Sequence, residues 1–267
     1  MRTTFFALSA LLVGAFQSTL SAQKTFSYTP GKNTYRHSEV RKTTQEVMGQ
    51  KQEIDITTSQ QVSLALTPKT GDSLAFVFTV DSAVMTASNP QAQRDLSKLV
   101  GTTVNGVMSK LGKAYTAVSS LTDAEGQNLA QGLKHFLVTF PENPKVGSTW
   151  VDTVTVKPVV EGLDITTVVV TTSKILGDTT VGGEKALRVE HNATLTTTGS
   201  GSQGGQALVF DGTGTTSGMT YVSKKGVYLG SSSTQNQAMT ITVPAAGMTI
   251  PMTTAVTSKV ERLGIRD

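Results

Sequence analysis

A chain of 267 residues with 37% hydrophobic, 16% charged and 6% aromatic side chains is neither a disordered charged tail nor a multi-span helical membrane protein. Its formal charge of +4 comes from interspersed signs, with no aromatic or glycine pattern of a nucleic-acid module beside the basic residues. Threonine supplies about one residue in six, and β-branched side chains at that density point to an all-β class in one large unit.

Residues 1–22 carry Arg2, an apolar run from Phe5 to Phe16 and a small, polar stretch ending at Ala22. That is the layout of a secretory signal peptide, with an apolar core too short to span about 30 Å of hydrocarbon, and cleavage is expected near Ala22. Cysteine is absent, so neither disulfides nor a lipidated cysteine is available, and the mature chain must be stabilised by its own core. These features predict a periplasmic or secreted protein of a bacterial envelope. Residues 23–34 are expected to form a flexible segment, and 35–263 a single β-rich domain. Lys24, Lys32, Arg36, Arg41, Lys42 and Lys51 make this end basic and are read as a solvated strand face.

From Tyr35 the dominant period is two. Ile54 and Ile56, then Val62, Leu64 and Leu66, then Leu74, Phe76, Phe78 and Val80 each form one apolar face, with breaks at Gly49, Pro68 and Thr70–Asp72. Asn89 and Pro90 predict the cap and first turn of a short helix carrying Leu96, Leu99 and Val100. Leu111–Lys113 turns the strand Val104–Met108 back into Ala114–Val118. Thr122 and Glu125 form a capping-box pattern ahead of Leu129, Leu133, Phe136 and Leu137, predicting an amphipathic helix over Asp123–Leu137. Its glycines, Gly126 and Gly132, each cost about 1 kcal/mol of helix propensity, so it needs a sheet to rest on. After Pro141 and Pro144 the chain reads as an antiparallel meander to Val260. The class is therefore mainly β: a single large antiparallel, strongly curved sheet, a half-barrel or open barrel, with one or two short helices on its concave face.

The run Gly199–Gly204 matches the dinucleotide fingerprint G-x-G-x-x-G, but strands flank it on both sides where a helix must follow, so it is read as a flexible hairpin loop. No nucleophile elbow, zinc helix or phosphate loop is present. His37, His135 and His191 lie far apart, and neither metal nor cofactor is expected. A non-enzyme follows, with a carboxylate pair such as Asp152 with Glu161 or Asp164 as the one arrangement that leaves no sequence trace. His191 shares a strand face with Leu187, Val189, Ala193 and Leu195, where it is read as an interior histidine bonded to a hydroxyl or carbonyl ahead of a ligand contact. Met239, Met248, Ile250 and Met252 offer flexible thioethers suited either to irregular packing or to acyl chains of varying shape. The few aromatic residues are too sparse for the two girdles of an outer-membrane barrel.

The step Phe140-Pro141 to Val146-Gly147-Ser148-Thr149-Trp150, placed after a helix and before a strand, resembles the middle of uncharacterised exported bacterial β-proteins. More distantly, the layout is similar to LolA/LolB-type periplasmic lipoprotein carriers, although the cysteine that anchors LolB is missing here. The resemblance implies a curved antiparallel sheet holding lipid beneath a helical lid. The resulting expectation is an exported, soluble envelope protein that binds a hydrophobic, lipid or acyl-type ligand along Leu187, Val189, His191, Met239, Met248, Ile250 and Met252. The alternative is a structural or protein-interaction module of the envelope with a packed core and no ligand. A lipid or an envelope protein is thus the expected partner, with no nucleic acid and no integral membrane insertion.

Overall fold

The computed structural model describes residues 26–47 and 49–264. The expected signal peptide lies outside them. Twelve strands form one antiparallel sheet. They are β1 (Gly31–Val47), β2 (Gln50–Pro68), β3 (Ser73–Ala87), β4 (Thr103–Ser109), β5 (Ala114–Ser119), β6 (Thr149–Val156), β7 (Val159–Val160), β8 (Leu163–Val181), β9 (Glu184–Gln203), β10 (Gln206–Ser223), β11 (Tyr228–Val243) and β12 (Met248–Arg262). Among the described residues a single α-helix, α1 (Ala124–Leu133), interrupts the strands in mid-chain. Two meanders, β1 to β5 and β8 to β12, are joined where β1 pairs with β12, and β5 and β6 form the two edges. The sheet is curved and does not close on itself, as the two-sided strand pattern predicts.

Each long strand has one buried and one solvated row. Across the register, Val62 faces Val80, Leu64 faces Phe78 and Leu66 faces Phe76, while Leu74 continues to Met108 and Phe78 to Val104. These residues are buried and, with Tyr35, Ile175, Val189, Val222 and Tyr228, form the core. Irregularities at Gln61/Val62, Val107/Met108, Ile175/Gly177 and Tyr221/Val222 interrupt the ladders, and such bulges sharpen the twist that curls a sheet. The outer rows are polar: Thr194 and Thr196 on β9, Thr213 and Thr215 on β10, and Thr253 and Thr257 on β12 all point away from the core.

The helix fills the seam. It packs against β5 on one side and β7 on the other. The Asn128 side chain donates to the Val159 carbonyl at 3.1 Å and accepts from the Val159 amide at 2.8 Å, taking the place of a neighbouring strand. The helix differs from its expected span at both ends. Asp123 is the cap, accepting from the Gly126 amide at 3.0 Å, so the Thr122/Glu125 box does not form. A side chain at Gly126 would meet the Leu121 carbonyl, which explains a glycine that propensity alone counts as a cost. At the other end the chain leaves the helix after Leu133 and runs as a strap across the concave face. Tyr28 donates its hydroxyl to the Val138 carbonyl at 3.0 Å, and the Phe140 amide donates to Leu111 at 2.8 Å. The chain turns through residues 134–137 before these anchors, and Phe136 packs against Tyr35, Phe78 and Tyr228.

Three further expectations need correction. Residues 31–34 belong to β1 and Tyr28 is buried at 2% exposure, so residues 26–34 do not behave as a loose leader; burying an aromatic ring and pairing the backbone outweigh the polar composition. Around Pro90 two short 3-10 turns, Pro90–Ala92 and Ser97–Leu99, replace a helix; Asn89 does cap the first, accepting from Gln91 at 2.9 Å. The glycine-rich stretch is mostly strand: β9 runs to Gln203, and only Gly204 and Gly205, both with positive φ, make the turn. Gly199 and Gly201 lie so close to the β8 backbone that a side chain would collide with it.

Candidate functional site

A cavity of about 360 Å³ lies between the strap and the concave sheet. Its walls follow from the strand register. One rung carries Trp150, Ser173, His191, Gly218 and Ser233 across five strands, and the next carries Asp152, Thr171, Ala193 and Thr216. Gly218, beside His191 in the register, has no side chain, and a Cβ there would crowd Ser232 and Ser233 of β11. The roof comes from His135 through Thr139, and Val154, Val156 and Val169 extend an apolar wall. The cavity is therefore amphipathic, with hydroxyls of Ser173, Thr171, Thr216 and Thr220 on one side and aliphatic or aromatic surface on the other.

His191 is the most constrained polar group in it. Its Nδ1 lies 2.8 Å from the Ser173 hydroxyl, and its Nε2 is buried without a hydrogen-bond partner. Burial lowers its pKa from 6.5 to about 4, so the ring is neutral at physiological pH. His135 is also lowered, chiefly by burial, with the Asp152 carboxylate pulling the other way. Tyr228, whose hydroxyl lies 2.7 Å from that of Ser231, is pushed up to about 12 by burial. Lysine and arginine are missing from the lining. The serine–histidine pair lacks the third group that orients an imidazole for serine activation, since nothing meets Nε2. Among the described residues no group of three or more acidic or histidine side chains could hold a metal ion. Asp164 lies opposite Ser200 on the outer row of β8, facing away from Asp152, so that pair does not assemble.

The sequence-derived residues separate into two groups. His191 lines the cavity, and its bond to a hydroxyl is the interior contact that the strand period suggested. Val189 is fully buried opposite Ile175, and Leu187 packs against the core; both share the His191 face but lie under the cavity floor's edge, in the core. Met239 faces Met252, Ile250 faces Ile241 and Met248 faces Val243, and none of these lines the cavity. Met239 is six residues along β11 from Ser233, about 20 Å away at strand rise. Ser173, Trp150, His135, Asp152 and Tyr228 are among the lining residues that sequence reasoning did not assign to a ligand site. Ser173 was accessible in principle, because pairing β8 with β9 in register puts it opposite His191.

No family model matches the chain, and no curated protein matches its sequence. Solved structures similar to it include a putative outer membrane lipoprotein-sorting protein domain from Vibrio parahaemolyticus, with 8% identity, a TM-score of 0.21 and 87% of each chain covered. A DUF1329 family protein from Desulfovibrio piger has 9% identity, a TM-score of 0.16 and 87% of each chain covered. A porin mutant from Rh. blastica has 10% identity and a TM-score of 0.27, covering 87% of this chain and 100% of that one. Likeness at this level assigns neither ligand nor activity.

Proposed function

We propose that this chain is an exported envelope protein that binds a hydrophobic or amphipathic ligand, lipid or acyl-type, in the concave face of its sheet, and that it is not an enzyme. The observation that carries this reading is the cavity of about 360 Å³ between sheet and strap, within the range of small-molecule pockets. Its walls combine apolar surface with a few convergent polar groups, the usual make-up of such sites. A fully packed core, which the structural-module alternative requires, is disfavoured by the same void. Among the described residues no helix is long and apolar enough to cross a membrane, and the threonine-rich outer rows offer no apolar band to lipid. Both support a water-exposed exterior.

Trp150 is the chain's single tryptophan and lines the cavity, so its fluorescence reports occupancy without a label. Protein purified from envelopes under native conditions is expected to carry a bound mass in native mass spectrometry, and stripped protein to change its Trp150 emission on addition of acyl probes. A bare protein mass together with an unresponsive Trp150 would overturn the reading.

A further inference from the structure

We propose that the open edge of β6 accepts an extended segment of a protein partner as an added antiparallel strand, with a basic side chain of that segment against Asp152. This goes beyond the ligand-binding reading, because it concerns the backbone at the margin of the sheet and a macromolecular partner. The other margins carry a neighbour: α1 lies against β5, and the Asn128 amide occupies both backbone groups of Val159 in β7. β6 is left bare. Val151 is 63% exposed, Thr153 and Thr155 are exposed beside it, and the strand holds neither lysine nor proline, two of the usual guards of a sheet edge.

The hydrogen bonds show which groups are on offer. The Gly147 amide donates to the Ile175 carbonyl at 2.8 Å, and the Ile175 amide donates to the Ser148 carbonyl at 3.0 Å, so bonding to β8 begins at Ser148. An antiparallel ladder alternates, so Trp150, Asp152, Val154 and Val156 bond to β8, while Val151, Thr153 and Thr155 turn N–H and C=O to the free side. The side chains of the first four line the cavity. A strand added along β6 continues that inner row, and every second residue of it meets the cavity mouth; backbone bonds then supply affinity and the row supplies selectivity. Asp152 sets the charge. It is the one carboxylate in the lining, it has no ion-pair partner among the described residues, and burial of the nearby His135 disfavours the imidazolium that could neutralise it. Opposite charges facing each other across paired strands attract and like charges repel. A lysine opposite Asp152 therefore fits, whereas a second copy of this chain, paired about the middle of β6, would bring its own Asp152 alongside.

The test titrates the mature protein with the end-blocked peptide Thr-Val-Thr-Val-Thr-Lys-Thr-Val-Thr, reading Trp150 fluorescence and calorimetry. In antiparallel register its inward residues face Val156, Val154, Asp152 and Trp150, and saturable binding is expected. Thr153→Pro removes one N–H from the free side and leaves the β8 ladder intact, so the peptide should weaken about tenfold while circular dichroism and the urea midpoint match the parent. Glutamate in place of the peptide lysine should cost about threefold, and Asp152→Lys should reverse that preference. Equal affinity of parent and Thr153→Pro would overturn strand addition, since side chains would then enter the cavity without backbone pairing. Equal affinity for the two peptides in both the parent and Asp152→Lys would overturn the basic partner. Self-association of the protein that Thr153→Pro abolishes would give the edge to a second copy instead. Failure of both peptides to bind would end the proposal and leave the acyl-ligand reading, tested with acyl probes, as it stands.

Discussion

The two halves of the same sheet are held together differently. Around α1 and the strap, the inner rows carry Tyr35, Val62, Leu64, Phe78, Val222 and Tyr228, and Phe136 sits among three aromatic rings with centroids 5.3 to 5.9 Å away. Farther along β1, β8, β9, β11 and β12, the same rows pass through a polar band before Phe210, Ile241 and Val243 make them apolar again. Thr43 lies 3.3 Å from Thr254, Thr167 lies 2.9 Å from Thr197, and Gln237 donates to Thr197 at 3.1 Å. Cross-strand pairs of that kind contribute about 0.2–1 kcal/mol each, whereas burying a large apolar side chain contributes about 1.5–3 kcal/mol. The inner face is apolar beneath the helix and strap, polar along the band of Thr43, Thr167 and Thr197, and apolar again beyond it. The cavity lies at the boundary between these regimes, which is why it is amphipathic.

The sharpest way to break this comparison is a pair of truncations. Phe78→Ala removes a ring that is 4% exposed and packed edge-on against Phe136, and should cost about 3–5 kcal/mol. Met252→Ala, half-buried opposite Met239, should cost about 1 kcal/mol, since a partly exposed side chain loses only part of its transfer energy and leaves no closed void. Urea denaturation of both variants checks this. Equal losses would mean that the far end is as well packed as the near end.

The second effect is a pH dependence located at the boundary. The unfolded chain protonates His191 near pH 6.5, while the folded chain resists until about pH 4, so the unfolded state binds the extra proton in between. The stabilisation is fully present above about pH 6.5 and is lost as pH falls toward 4, and the gap is worth about 3 kcal/mol. His135 adds to the same trend, its pKa being lowered by burial. Denaturation at pH 8, 6.5 and 5 should show the fall, and His191→Gln should flatten most of it. A slope unchanged by that substitution would place the titration elsewhere.

How much of this was legible depends on which periodicity a residue obeys. Val62, Leu64 and Leu66, then Leu74, Phe76, Phe78 and Val80, could be placed in the core because a two-sided strand announces its faces every second residue. The inward orientation of His191 followed from the same rule. Position along the strand did not, because alternation says which face a side chain takes and nothing about where a cover lies. For that reason His191 and Met252 were grouped, although the strap covers one and not the other. The strap itself reads as helix, since Phe136 and Leu137 continue the spacing of Leu129 and Leu133; what ends the helix is the distant grip of Tyr28 and Leu111. Asp123 outcompeted Thr122 as cap through geometry at Gly126 and Leu121 that no local pattern encodes.

A more local effect concerns the seam that keeps the two edges apart. Asn128 satisfies both backbone groups of Val159 through its amide, so Asn128→Ala leaves an N–H and a C=O in a partly buried site and should cost about 1–3 kcal/mol. Val159 and Val160 otherwise pair only with β8, at Asp164 and Leu163. Hydrogen exchange should therefore quicken at the Val159 amide and spread into α1, because the helix reaches this edge of the sheet through that contact, while β3 and β4 stay protected. Protection of Val159 equal to that in the parent would show that β8 alone holds β7, and that the helix fills the seam through its packing on β5 without bridging the two edges.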